Sequence, residues 1–232
     1  MTTEAALVIL ESISSDQWGL VTREQAVREG VSAFELSCLL DEKVLYSVRP
    51  GVYSLPSAPL GRFEDLQASW LSLDAGRFLA ERWEDGPTFV VAHESAAAVH
   101  GIGNLIPHAN TFVTSGSGSS TGPGFEVLIA QDVGADDVVS IDGLPVTSIG
   151  RTIADLAVEG MERQYLSIMV VDALEKEGVR VRDIASRLDA CASAYGANSG
   201  RQLVHQLMRE GSSLEERADI LERAEAFGFT RK

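Results

Sequence analysis

Residues 17–55, QWGLVTREQAVREGVSAFELSCLLDEKVLYSVRPGVYSL, decide the fold because they contain the start and stop signals of two short helices. Thr22 with a Gln three positions later, and Ser32 with a Glu three positions later, both match a capping box. In this motif two side chains satisfy free backbone groups at the start of a helix. Gly30 is a typical helix stop. The sequence therefore predicts two helices separated by a tight turn, with the second running toward Lys43.

A two-stranded hairpin is predicted after the helices. From residue 44 the sequence repeats with a period of two, which is typical of a strand, and a turn at 49–51 precedes a second strand at 52–55. Two close helices followed by a hairpin are the elements of a winged helix-turn-helix, whose second helix can enter the major groove of DNA. The alternative is a small packing module or a protein-docking surface, since fold alone does not determine function.

The charge balance limits how this segment could bind DNA. The chain carries 19 Lys and Arg against 34 Asp and Glu, a formal net charge of -15, whereas nucleic-acid binders usually present a basic face. The acidic excess is largest in residues 61–150, which hold three basic and twelve acidic residues. A local patch can still bind DNA, because salt screens repulsion beyond about 8 Å. The candidate DNA-binding residues are Thr22, Arg23, Ser32, Ser37, Lys43 and Arg49.

The second helix is predicted to expose an acidic face. If its three leucines are assigned to the core, the outward side chains are Phe34, Glu35, Ser37, Cys38, Asp41 and Glu42. Carboxylates repel the phosphates that dominate DNA affinity. This face therefore favours a second hypothesis, a winged-helix protein-interaction module that has lost DNA binding.

The whole chain predicts an α+β fold with two domains. The winged helix-turn-helix occupies residues 1–60, and a mixed α/β domain at 61–232 is strand-rich over 86–147 and helical over 148–232. The Gly- and Ser-rich segment 115–124 predicts a flexible loop. The other predicted elements are a helical connector at 62–84, strands at 88–92, 111–114, 125–130, 138–141 and 146–147, and helices at 93–100, 148–156, 162–176, 182–195, 199–209 and 214–227.

Several classes of protein and site find no support in the sequence. No apolar run is long enough to span a bilayer and there is no leader, so we expect a cytoplasmic protein. Cys38 and Cys191 are too few for a disulfide framework or a zinc site. His93 and His100 stand seven residues apart, unlike the i, i+4 pair of zinc-binding helices, so neither a metal nor another cofactor is predicted. No enzyme is predicted either; a third hypothesis, a small enzyme, would require a polar pocket in the middle domain.

Five segments together resemble the AbiEi family of antitoxins. They are QWGLVTREQA (17–26), GVSAFEL (30–36), RPGVYSL (49–55), AHESAAAVHGIG (92–103) and GLPVTSIGRTIADLA (143–157). The resemblance covers residues 16–195 and is most distinctive over 143–157. It implies an antitoxin and transcriptional regulator of a bacterial toxin-antitoxin operon of the abortive-infection kind. The N-terminal winged helix would bind promoter DNA as a repressor, and the C-terminal domain would help to neutralise a nucleotidyltransferase toxin.

The resemblance also marks Arg151 and Asp155 as tentative partner-binding residues. Their i, i+4 spacing by itself predicts only a surface pair that contributes about 0.3 to 0.5 kcal/mol. The acidic residues of 61–150 would steer a basic partner toward the protein. The alternative is that this acidity only keeps the protein soluble.

Overall fold

The protein divides into two compact units in a computed structural model that describes residues 3–56, 61–116 and 119–212. The first unit comprises Met1–Phe89 with Asp142–Leu144, and the second comprises Val90–Ile141 with Pro145–Lys232. Helices and sheets are both present, so the predicted α+β class is confirmed. The first unit extends well past the predicted domain boundary at residue 60.

The first unit pairs a small antiparallel sheet with short helices. The two predicted capping boxes are both present, one from Thr22 to Gln25 and one from Ser32 to Glu35. The sheet has the order β1-β3-β2. Strand β1 has no alternation of buried and exposed residues because all three of its residues are buried, so the period-two pattern missed it. The elements are α1 (Thr3–Ser15), β1 (Leu20–Thr22), α2 (Arg23–Arg28), α3 (Ala33–Asp41), β2 (Tyr46–Arg49), β3 (Val52–Ser54), α4 (Glu64–Ser72) and α5 (Leu79–Glu84).

Helices α4 and α5 belong to the first unit because they share its buried contacts. The Trp70 ring of α4 meets Trp18 edge to face, with 6.0 Å between ring centroids, and its Nε1 donates to the Phe89 carbonyl at 2.8 Å. The buried Arg82 guanidinium of α5 lies over the Trp70 ring and donates to the Leu71 carbonyl at 2.7 Å. Burial lowers the pKa of Arg82 to about 10, so this side chain is still charged at neutral pH.

The second unit begins with the strand-rich part of the chain. The strand order is β6-β7-β5-β4-β9-β8. Strand β5 runs parallel to β7 and β4 parallel to β9, whereas the β4–β5 and β6–β7 pairs are antiparallel. Asp142 and Gly143 have φ angles of 49° and 82°, which are the positive values that a type I′ turn requires. The elements are β4 (Val90–Val91), α6 (His93–His100), β5 (Asn110–Thr114), β6 (Ser120–Gly122), β7 (Phe125–Ile129), β8 (Val138–Ile141) and β9 (Leu144–Thr147).

Within residues 149–212, four helices follow and share one apolar core. They are α7 (Ile149–Val158), α8 (Arg163–Leu174), α9 (Val181–Leu188) and α10 (Gly200–Gly211). Ile153, Leu166, Ile184 and Leu207 are all fully buried in this core. Within the described ranges, no helix is both long and apolar enough to cross a membrane.

Two predicted elements of the second unit differ from the structure. The predicted loop at 115–124 contains the edge strand β6, which pairs with β7 through backbone hydrogen bonds. An edge strand pairs with a neighbour on one side only, and it can be built from polar residues. The Ser- and Gly-rich sequence of β6 therefore lacks the alternation of apolar and polar residues that predicts a strand. The predicted helix at 182–195 ends at Leu188 and is followed by a 3-10 turn at Ala192–Tyr195. The predicted helix at 214–227 lies outside the described residues.

Candidate functional site

Thr22 is an internal residue of the first unit. Its side chain is fully buried and its hydroxyl caps α2 by accepting from the Gln25 backbone at 3.1 Å. The same hydroxyl donates to the Ala75 carbonyl in the loop after α4. Contrary to the prediction, this hydroxyl is therefore not available to a DNA phosphate.

Arg49 does not present a free charge at the hairpin. Its side chain is only 12% exposed, and its guanidinium forms a two-pronged pair with Asp65 of α4. Nε lies 2.8 Å from one carboxylate oxygen of Asp65, and Nη2 lies 2.9 Å from the other. Arg49 is therefore not available for the predicted phosphate contact at the hairpin tip, because its guanidinium is already paired with a carboxylate.

Arg28 is engaged in a similar way at the end of α2. Its guanidinium forms two hydrogen bonds with the Glu81 carboxylate, at 2.8 and 2.6 Å, and lies 4.7 Å from the centre of the Phe78 ring. The hydrogen bond from Arg28 and one from the Phe78 backbone hold the pKa of Glu81 at about 2. The charge of Arg28 is therefore paired with an ionised carboxylate.

Four of the predicted DNA contacts remain on the surface of the first unit. Arg23, Ser32, Ser37 and Lys43 are all exposed. Within the described part of the chain, Arg23 and Lys43 form no ion pair. The Ser32 hydroxyl lies 2.7 Å from the Glu35 carboxylate, and its hydrogen bonds hold the pKa of Glu35 at about 2. The candidate DNA surface thus offers two available cations.

The outer side of α3 differs sharply from its inner side. Leu36 and Leu39 are buried, whereas Phe34 is 77% exposed and Ser37 and Asp41 are exposed beside it. The helix and its C-terminal cap carry no Lys or Arg. The predicted acidic and aromatic face of this helix is therefore present, with Glu35 partly buried by its capping role.

Arg151 lies at the centre of a charged network in the second unit. Its side chain is 9% exposed. Nε donates to both oxygens of Asp155 at 2.8 and 2.9 Å, and Nη2 donates to the Asp132 carboxylate at 3.0 Å. Burial raises the pKa of Asp155, although Arg151 opposes that change. The sequence predicted a weak surface pair, but the structure places Arg151 and Asp155 in a largely buried network.

Asp137 extends this network to a second helix. It is buried, its carboxylate lies 3.7 Å from Nη1 of Arg151, and it forms an ion pair with Arg187 of α9. Its backbone carbonyl also accepts from the Ser148 backbone at 2.7 Å, just before α7 begins. The ion pairs therefore link the segment from Asp132 to Asp137, which precedes β8, to both α7 and α9. This arrangement supports a structural role for Arg151 rather than the predicted contact with a partner.

His93 and His100 each contact a different group and do not form a shared site. His93 Nδ1 lies 2.9 Å from the Glu159 carboxylate. His100 Nε2 lies 2.7 Å from the Thr147 carbonyl, which can only accept, so this nitrogen carries the proton. Burial lowers the pKa of His100, which keeps it neutral. Over residues 3–56, 61–116 and 119–212, no group of three or more His, Cys, Asp or Glu side chains is arranged to hold a metal.

A polar cavity of the kind that an enzyme would need is present in the second unit. It has a volume of about 420 Å³ and is lined by His93, Glu94, His108, Glu126 and Glu159, among others. Thr111 donates to the Glu126 carboxylate at 3.0 Å. His93 Nδ1 lies 2.9 Å from a Glu159 carboxylate oxygen but forms no hydrogen bond with it. The cavity wall therefore combines a hydrogen-bonded carboxylate with a buried imidazole nitrogen that has no hydrogen-bond partner among the described residues.

Comparison with known proteins gives a structural likeness but no sequence relative. No protein-family model and no curated protein matches the chain. The crystal structure of the RV2827C protein from Mycobacterium tuberculosis is similar, with a TM-score of 0.52 and 15% sequence identity over 96% of this chain and 82% of that chain. At this identity the likeness shows a shared fold alone.

Proposed function

We propose that the first unit contains a winged helix-turn-helix and that the protein is an antitoxin that represses its own operon by binding promoter DNA. The observation that supports this most strongly is the order of elements: two capped helices, α2 and α3, are followed by the β2–β3 hairpin, and β1 completes a three-stranded sheet. Helix-turn-helix proteins use this arrangement to place the second helix in the major groove. The proposal requires a cytoplasmic protein.

The DNA contacts in this proposal are Arg23, Ser32, Ser37 and Lys43. Hydroxyls can donate to phosphate oxygens and fix the register of the protein on the duplex. The two cations neutralise phosphates and supply the salt-dependent part of the affinity. Among residues 3–56, Arg23 and Lys43 are the cations around α2 and α3 that form no ion pair. Electrostatic attraction therefore contributes little, and DNA binding depends on shape and hydrogen bonding.

A shallow salt dependence is the expected result for promoter binding. With two phosphates neutralised, the slope of log affinity against log salt should be about -2. Replacing Arg23 and Lys43 together with Ala should flatten that slope and weaken binding to all DNA sequences. The matched control is Arg49→Ala, which should leave the slope unchanged because Asp65 already neutralises this guanidinium. Fluorescence anisotropy with a promoter duplex measures both quantities. A slope near -8, or a double variant that binds as tightly as the wild type, would contradict the assigned surface.

The antitoxin part of the proposal rests on the sequence resemblance and on charge. A nucleotidyltransferase that handles nucleic acid must present a basic groove, and this chain carries a formal net charge of -15. Complementary fields of this kind speed association and are screened by salt.

Co-expression with the operon's nucleotidyltransferase should restore growth and give a complex that weakens as salt rises. The measurement is a pull-down at low and at high salt, combined with a growth assay. The control is a bait of similar net charge and unrelated fold, which should neither restore growth nor bind. Restored growth without any complex would exclude direct blockade and would indicate indirect antagonism, with the acidic residues serving solubility.

A further inference from the structure

We propose that the exposed side of α3 is a docking surface for a basic protein partner, with Phe34 as its anchor. We name this surface the α3 stripe and define it by Phe34, Ser37, Cys38 and Asp41. The inference rests on the proposed antitoxin function, because it assigns the contact surface for the protein that is neutralised. The partner is a nucleic-acid-handling protein with an apolar pocket bordered by Lys or Arg side chains.

The geometry of α3 gathers these residues on one side. Positions three, four and seven apart on an α-helix point in the same direction. Phe34 and Asp41 are seven residues apart and therefore about 10 Å apart along the helix axis. The opposite side is fixed, because Leu36 and Leu39 are buried in the core of the first unit. The α3 stripe therefore lies opposite the side of the helix that is buried in the core.

Phe34 has no structural reason to be an aromatic residue. Its side chain is 77% exposed, in the first turn of α3, so it contributes little burial to the first unit. Aromatic side chains of this kind are the usual anchors of protein interfaces, because they bury a large area when they enter a pocket.

The charges around Phe34 identify the partner's chemistry. Asp41 and Glu42 are exposed at the end of α3, and Glu35, next to Phe34, is ionised because hydrogen bonds to Ser32 hold its pKa at about 2. Lys43 follows directly and offsets one of the two exposed carboxylates at the end of the helix, and no Lys or Arg lies between Ala33 and Glu42. This field repels a phosphate backbone and attracts Lys and Arg side chains. A basic protein would therefore compete with promoter DNA for this side of α3, whereas a second copy of this acidic chain would be repelled.

The test measures the affinity of the full-length protein for the operon's nucleotidyltransferase by isothermal titration calorimetry. Phe34→Ala should raise Kd at least about 30-fold, as expected for an interface anchor. Asp41→Lys should also weaken the complex and reduce its salt dependence. The matched control is Ile106→Ala, which removes a side chain that is 87% exposed in the second unit and should leave Kd unchanged. Both Phe34 and Ile106 are exposed, so circular dichroism should show wild-type folding for each variant.

The outcomes separate this inference from the proposed function. If the wild-type complex forms and Phe34→Ala binds as tightly as the wild type, only the α3 stripe is excluded. If the wild type forms no complex, direct antagonism fails and this inference fails with it. If Phe34→Ala binds the partner normally but loses promoter DNA, the stripe is a DNA contact and the protein-docking assignment is overturned.

Discussion

Replacing Arg151 with Ala should lower the free energy of unfolding of the second unit by about 3 to 5 kcal/mol, because it removes one partner of a buried ion pair. Asp155 would lose both hydrogen bonds from Nε while its side chain is only 16% exposed. Asp132 would lose the contact that ties its segment to α7. Urea unfolding followed by far-ultraviolet circular dichroism measures this change. Tryptophan emission reports the first unit independently, since Trp18, Trp70 and Trp83 all lie there.

The free energy of unfolding that Arg151→Ala loses should depend on pH. Burial already raises the pKa of Asp155, and loss of Arg151 would raise it further. A carboxyl group with a raised pKa in the folded state is destabilising when it is ionised. The loss in unfolding free energy is therefore largest above the folded-state pKa of Asp155. It shrinks as the pH falls toward the unfolded-state pKa of about 3.9.

The matched control for this prediction is Arg182→Ala in α9. Its guanidinium lies 3.6 Å from Asp183 and its side chain is 68% exposed, so the change should cost no more than about 1 kcal/mol. Equal costs for Arg151→Ala and Arg182→Ala, at all pH values, would mean that the Arg151 network is solvated and not structural.

Replacing Gly200 with Ala should destabilise the second unit by about 2 to 3 kcal/mol through overpacking. A Cβ at this position would lie 2.8 Å from the Asp189 amide nitrogen and would collide with the Ala185 carbonyl. These atoms belong to the backbone of α9 and of its C-terminal end, so they cannot turn aside as a flexible side chain could. Ala is the better helix former by about 1 kcal/mol, but the collision should outweigh that gain.

Gly76→Ala is the matched control for overpacking. A Cβ there meets nothing within 4 Å, and the backbone needs no positive φ, so the change should be neutral or stabilise by up to about 1 kcal/mol. Chemical unfolding of both variants, read by circular dichroism, compares the two. A Gly200→Ala protein as stable as the wild type would show that α9 and α10 can move apart without loss.

The sequence by itself determined those features whose physical causes lie within about four residues. The capping boxes at Thr22 and Ser32 are present because each joins groups three positions apart. The end of α6 was also predictable, because Gly101 adopts the left-handed conformation that stops a helix. The buried leucines of α3 followed from helical spacing alone. From such local signals the sequence could predict most helices, the hairpin, the α+β class and the acidic, aromatic face of α3.

Tertiary structure alone decided which predicted contacts are available. The Thr22 hydroxyl donates to a carbonyl 53 residues away, and the Arg49 guanidinium is paired with a carboxylate 16 residues away. Arg151 meets Asp132, 19 residues earlier in the chain, and so becomes part of a buried network instead of a surface pair. The extent of the first unit depends in the same way on Trp70 and its neighbours. These partners are brought together by packing between helices and strands that are distant in sequence. The energy of a charged group depends on which of these distant groups lies beside it. Residue spacing along the chain therefore cannot predict such a contact.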